Sequence, residues 1–242
     1  MDEEKIARIQ ALYLKEINKN GVLRPGPLRK PLEKIIPSLN PERLPRADDP
    51  DFIHLLCASG GRDSHLRQIG YAAVNRDFCE TLRKDFESFG VRRFVEIDAG
   101  SGYLTLLLNR LGFAGYGYTL KEHNRVFEIE ESPYYKDVKK SGCLIDRDIT
   151  TLVCETAPDL VLASWVPYCG GEEVVTFFEN QWQRGIETPY FVLIGEERGG
   201  ATASDEFFDW LEAHFDYIGY NESYLSFFGI RDNCLYYRKK GS

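Results

Sequence analysis

The residues best placed to do chemistry fall in one short stretch, Val95-Glu96-Ile97-Asp98-Ala99-Gly100-Ser101-Gly102. Two carboxylates stand two positions apart, and two glycines separated by a serine follow at once. Arg93 to Ile97 reads as a short apolar strand, and Tyr103 to Leu108 opens a helix that ends at Leu111-Gly112. Strand, glycine turn and helix in that order form a ligand cradle. Glycine lets the backbone approach a ligand closely, and the first N–H groups of a helix have no partner within it. A glycine pair alone also suits a plain tight turn, so the partners of this stretch decide its meaning.

Those partners are further strands. Ala114 to Leu120 reads as the second strand, with Thr119 where dinucleotide-type sites place an acidic residue on the ribose hydroxyls; Glu122, three residues on, supplies a carboxylate or is a solvated residue of a first helical turn. Gly142 to Asp146 reads as the third, followed by Asp148 and Ile149. Leu160 to Ala163 is an uninterrupted apolar run, as befits a strand covered on both faces. At its carboxyl end, where ligands bind in open α/β sheets, lies Ser164-Trp165-Val166-Pro167-Tyr168. Tyr190 to Gly195 is the fifth strand, and a charged, glycine-rich loop, Glu196 to Ala203, succeeds it; Tyr217–Tyr220 and Asn233–Arg238 read as the last two.

The helices follow from apolar spacing. Residues 3 to 19 place Ile6, Ile9, Tyr13 and Ile17 on one face. Asn75 caps a helix carrying Phe78, Leu82, Phe86 and Phe89; Gly171-Glu172-Glu173 leads into another with Val174, Phe177, Phe178 and Trp182. Ser204 caps a third whose Phe207, Phe208, Leu211 and Phe215 face inward, and Ser59 to His65 reads as a polar loop. Residues 24 to 50 hold seven prolines and six basic residues, a composition that forbids a long helix and gives an extended arm, either strapped to the body or reaching a partner. The chain divides into residues 1–50, a helix plus this basic arm, and residues 51–242, an α/β domain.

Taken together the stretches resemble class I S-adenosylmethionine-dependent methyltransferases, whose first signature is an acidic residue followed by Gly-x-Gly-x-Gly. Glu96 is then the acidic residue, Gly100 and Gly102 are the second and third glycines, and Asp98 stands in place of the first, at the methionine end of the cofactor. The resemblance implies a mostly parallel, twisted seven-stranded sheet with helices on both faces and an antiparallel last strand. It implies S-adenosylmethionine as cofactor, with Ser101 in the cradle, Thr119 or Glu122 at the ribose, Asp148 and Ile149 at the adenine, and Ser164 beside the reacting centre. Ser164 to Tyr168 is similar to the Asp/Asn-Pro-Pro-Tyr signature of amino-group methyltransferases: Pro167 and Tyr168 match, while Trp165 holds the polar position. An amine acceptor is the expectation, with a Trp-Pro turn that only shapes the wall as the other reading. By the same resemblance Arg62, His65 and Tyr71 line the methionine or substrate side, although a solvent-exposed loop histidine is the expected state of His65. A methyltransferase-like binding subunit without catalysis is the competing function.

Composition narrows the partners. With 43% hydrophobic residues the chain builds a full core, and a net charge of −8 repels phosphate backbones, so a small molecule or a protein is the expected substrate rather than nucleic acid, unless the basic arm recruits one. No apolar run reaches membrane-spanning length and Met1-Asp2-Glu3-Glu4 is unlike a signal peptide, which gives a cytoplasmic or nuclear expectation. Six scattered cysteines lack metal-ligand spacing and read as small buried hydrophobes.

Overall fold

The computed structural model describes residues 1–17, 26–119, 134–146 and 157–241. Its strands are β1 (Arg93–Ile97), β2 (Ala114–Thr119), β3 (Leu144–Asp146), β4 (Leu160–Ser164), β5 (Tyr190–Gly195), β6 (Phe215–Tyr220) and β7 (Asn233–Lys239). They form one seven-stranded sheet in the order β3-β2-β1-β4-β5-β7-β6. The first five are parallel, and β7 inserts antiparallel between β5 and β6. This is the arrangement the resemblance implies. From β1 the chain runs outward through β2 and β3, then returns to begin β4 on the other side of β1. The topological switch point therefore lies between β1 and β4, where open α/β sheets bind ligands.

Alternation along the central strands builds two cores. Phe94, Leu160, Leu162, Val192 and Ile194 point into one, and Val95, Ile97, Val161, Ala163, Phe191 and Leu193 into the other. The first face carries α1 (Glu3–Ile17), α3 (Pro50–Cys57), α5 (Arg76–Ser88) and α6 (Tyr103–Arg110); the second carries α8 (Glu172–Gln183) and α9 (Asp205–His214). The remaining helices are α2 (Leu32–Ile35), α4 (Gly61–Gln68) and α7 (Tyr135–Ser141), with a 3-10 turn at Pro41–Arg43. The expected caps are made: Asn75 accepts from Phe78 N at 2.9 Å and Ser204 from Phe207 N at 3.2 Å.

The proline-rich segment packs onto the body. Leu32, Ile35, Ile36, Leu39, Leu44 and Ala47 are buried in the same core as Phe78, Phe94 and Tyr103. Three of its basic residues are paired: Arg29 with Glu16, Lys30 with Asp51, and Arg46 with Asp77 and Glu80. On α1, Ile9 is buried and Tyr13 and Ile17 pack on the core, but Ile6 remains exposed.

Three expectations need correction. Ser59 to His65 is no loop: from Gly61 onward it is α4, entered through a left-handed Gly60, and an added Cβ on Gly61 would lie 2.1 Å from the Leu55 carbonyl oxygen. The two glycines make a close helix–helix corner rather than a flexible tip. Being on that helix, His65 is buried, not exposed, and its Nδ1 lies 2.8 Å from the Gly70 carbonyl. Phe215 faces inward as expected, yet from the first position of β6, because α9 ends at His214. Of the described cysteines, Cys57, Cys79, Cys143 and Cys234 are buried and Cys169 is exposed.

Candidate functional site

A cavity of about 380 Å³ opens at the carboxyl ends of β1 and β4, at the switch point. Its floor is the turn after β1. Asp98, Gly100 and Gly102 all take left-handed φ, at 54°, 51° and 70°. The two glycines differ in what surrounds them. A Cβ on Gly102 would lie 2.7 Å from Val138 Cγ1, so this position is closed by packing, whereas a Cβ on Gly100 meets no atom of the described residues within 4 Å. Asp98 pays a small left-handed penalty, about 1 kcal/mol, that aspartate bears better than most residues. Ser101 is buried and tethers the turn, its hydroxyl donating to the Ile69 carbonyl and accepting from Tyr103 N at 3.2 Å.

Glu96 lies beneath, buried, with the Thr105 hydroxyl donating to one of its oxygens. Burial, with Asp98 adding repulsion, pushes its carboxyl up to about 8, so it is largely protonated at neutral pH. Burial drives His65 the other way, down to about 4. His65 is therefore neutral, it does not line the cavity, and it locks the bend at Gly70 instead of serving as a base.

The opposite wall is the segment after β4. Trp165 takes a left-handed φ of 56°, a conformation that costs a bulky residue on the order of 1–2 kcal/mol. Neighbours hold it there. Trp165 N donates to Ile194 O at 2.7 Å, and its indole N–H donates to Asp232 Oδ2 at 3.1 Å, which also accepts from Tyr224 OH at 2.6 Å. Tyr71 stacks on the indole at 5.1 Å with 15° between planes, and the Arg62 guanidinium lies 4.8 Å from its ring centroid. Ser164 Oγ is buried without a partner, Pro167 is exposed, and Tyr168 is 65% exposed at the rim. The carbonyls of Val166 and Pro167 already accept from Ala203 N at 3.0 Å and Gly170 N at 2.8 Å.

Two clamps fix the surroundings. Glu196, just past β5, accepts from Arg231 N at 2.9 Å and Ala201 N at 2.6 Å, joining the glycine-rich loop to the segment before β7 and placing Ala201 on the cavity. Below, Tyr103 OH donates to Ser38 O at 3.2 Å and Tyr134 OH donates to Ile36 O, so the proline-rich strap supports the first turn of α6.

The cavity thus gathers Glu96, Asp98, Gly100, Ser101, Ser164, Trp165, Pro167 and Tyr168, with Arg62 and Tyr71. Gly102 stands just behind as the residue preceding α6, and Thr119 ends β2. Glu122, Asp148 and Ile149 lie outside the described residues. Sequence reasoning missed Asp232 and Tyr103. Asp232 carries no spacing signal, being one aspartate in a loop, whereas Tyr103 follows the glycine turn directly and could have been inferred.

No protein-family model matches the chain, and no curated protein matches it. Solved structures do. One is an S-adenosylmethionine-dependent methyltransferase from Clostridium acetobutylicum ATCC 824, 10% identical, covering 69% of this chain and 92% of its own, with a TM-score of 0.46. The N-methyltransferase NodS from Bradyrhizobium japonicum WM9 is 14% identical, covers 67% and 93%, and has a TM-score of 0.44. The glycopeptide N-methyltransferase MtfA, in complex with S-adenosyl-L-homocysteine, is 14% identical over 66% and 89%, with a TM-score of 0.43.

Proposed function

We propose that the chain is an S-adenosylmethionine-dependent methyltransferase whose donor and acceptor share this cavity. One observation carries the reading: the cavity runs from a left-handed glycine turn at the end of β1 to the segment after β4, across the switch point of a sheet ordered β3-β2-β1-β4-β5-β7-β6. The residues present suit such a donor. Gly100 has no described side chain packed where its Cβ would stand, and Ser164 Oγ is a buried polar atom awaiting a partner.

In this reading Glu96, Asp98, Gly100, Ser101 and Gly102 cradle the amino-acid end, Thr119 or Glu122 serves the ribose, and Asp148 and Ile149 the adenine. Bound S-adenosylmethionine supplies an already activated methyl group, so the protein contributes chiefly proximity and orientation. The stacked Tyr71–Trp165 pair gives a fixed flat wall, Tyr168 closes the rim, and Ser164 is the hydroxyl available to orient an acceptor. Among these residues no general base is required.

The amine acceptor expected from Pro167-Tyr168 finds partial support. Ser164 and Tyr168 both line the cavity, but the Trp165 N–H is committed to Asp232 and the neighbouring carbonyls already accept one hydrogen bond each. Those same commitments favour the second reading, a binding subunit without turnover. Incubation with methyl-labelled donor and a panel of amine, hydroxyl and thiol acceptors separates the two. Label transfer that Tyr168→Ala abolishes while donor binding persists supports the enzyme; binding with no transfer to any acceptor class supports the subunit.

A further inference from the structure

The sheet ends on β6. β7 pairs with it on one side, and among the described residues no strand pairs with it on the other. The outward N–H and C=O groups of such an edge are a template for another strand, and natural edges are commonly blunted by brevity, lysine or proline. The opposite edge, β3, is three residues long. β6 has six residues, and its sequence, Phe-Asp-Tyr-Ile-Gly-Tyr, holds neither lysine nor proline. Its one charge, Asp216, pairs with Lys240 of the same chain at 3.9 Å. A bulge between Tyr217 and Gly219 leaves Ile218 out of the ladder with β7. Tyr217, Ile218 and Tyr220 are 55%, 42% and 54% exposed, and no other element of the described residues leaves three large apolar side chains in water.

The order of these residues says what fits against them. When the strand is laid antiparallel on a second copy of itself with Ile218 at the two-fold axis, Tyr217 stands opposite Gly219 and Asp216 opposite Tyr220. A tyrosine ring then covers a glycine, two isoleucines meet, and each carboxylate faces a phenol hydroxyl rather than another carboxylate. The same pairs recur on both sides of the axis, as a contact between identical surfaces requires. We propose that β6 pairs antiparallel with β6 of a second copy of this chain, giving a dimer with one sheet continuous through both subunits. Each copy carries a net charge of −8, which opposes the approach, so salt strengthens the contact. The inference is independent of the methyltransferase reading.

The test uses the full chain as wild type, Ile218→Lys, Ile218→Glu and Ile6→Lys, each checked for an unchanged melting curve. Sedimentation velocity from about 1 to about 200 μM reads the assembly, a range that suits a small interface of micromolar affinity. Wild type should pass from monomer to dimer across it, and at lower concentration in about 0.5 M salt than in about 0.1 M. Ile218→Lys and Ile218→Glu each meet their own charge at the axis and should weaken the dimer about tenfold or more. Ile6→Lys, a substitution at an exposed isoleucine of α1, should leave it unchanged. An equimolar mixture of the Ile218→Lys and Ile218→Glu variants sets opposite charges across the axis and should restore dimers. A wild-type chain that stays monomeric throughout, a dimer that salt dissolves, or one that Ile6→Lys weakens as much as Ile218→Lys would overturn the proposal. So would a mixture that associates no better than either variant alone.

Discussion

Single residues at this site are set by burial more than by charge pairing. Glu96 titrates near 8 rather than 4.5 because it is taken out of water beside Asp98. The folded state then holds a proton that the unfolded chain releases, so this group makes stability fall as pH rises between about 4.5 and about 8, by at most about 1.4 kcal/mol per unit. Glu96→Gln, which keeps an acceptor for the Thr105 hydroxyl, should flatten that limb in urea unfolding measured at pH 6 and pH 8; an unchanged slope would place the proton elsewhere. Asp232 is a buried acceptor for two side-chain donors. Asp232→Ala should cost about 2–4 kcal/mol by stranding the Trp165 N–H and the Tyr224 hydroxyl, and Asp232→Asn, which retains one acceptor oxygen, clearly less. Comparable urea midpoints for the two variants would show that Trp165 is held by packing alone.

At the level of elements, the turn between β1 and α6 separates a structural glycine from a site-facing one. Gly102→Ala meets Val138 in addition to the left-handed φ and should lose about 2–4 kcal/mol; Gly100→Ala carries only the backbone penalty, about 1 kcal/mol. Equal losses in thermal unfolding would contradict that division. The strands and this turn were legible in the sequence because short continuous apolar runs and a glycine pair leave local marks, and the caps at Asn75 and Ser204 were legible because a capping side chain sits beside the apolar stripe it starts. What was not legible depends on distance. Gly60-Gly61 reads as a loop until Leu55 is seen to press against it, and His65 reads as exposed until the helix beginning there carries it inward. The tether from Ser101 to Ile69 and the hold of Asp232 on Trp165 join residues far apart in sequence, which no spacing announces.

Across the whole molecule, one carboxylate ties the amino-terminal segment to the body. Asp77 on α5 accepts from Ala47 N at 2.7 Å, from Arg46 at 2.9 Å and from Lys5, and these bonds, outweighing the opposing effect of its burial, hold its pKa below the ordinary value. A depressed carboxylate contributes stability that is present above its unfolded pKa and lost as pH falls through the folded one. Asp77→Asn should therefore lower the urea midpoint at pH 7, by about 2–3 kcal/mol in stability, and shrink the loss seen on acidification below pH 4. An identical acid limb in the variant would remove Asp77 as its source. Because the strap also supports Tyr103 and Tyr134 beside the cavity, loosening it should weaken ligand binding at a distance. The function itself stands on the glycine turn, and calorimetric titration of the intact protein with S-adenosylmethionine and S-adenosylhomocysteine tests it most directly, with Gly100→Asp as the control that fills the open face of the cradle. Micromolar binding that disappears in Gly100→Asp is the expected result. Binding of neither ligand by the wild-type protein would contradict the methyltransferase reading.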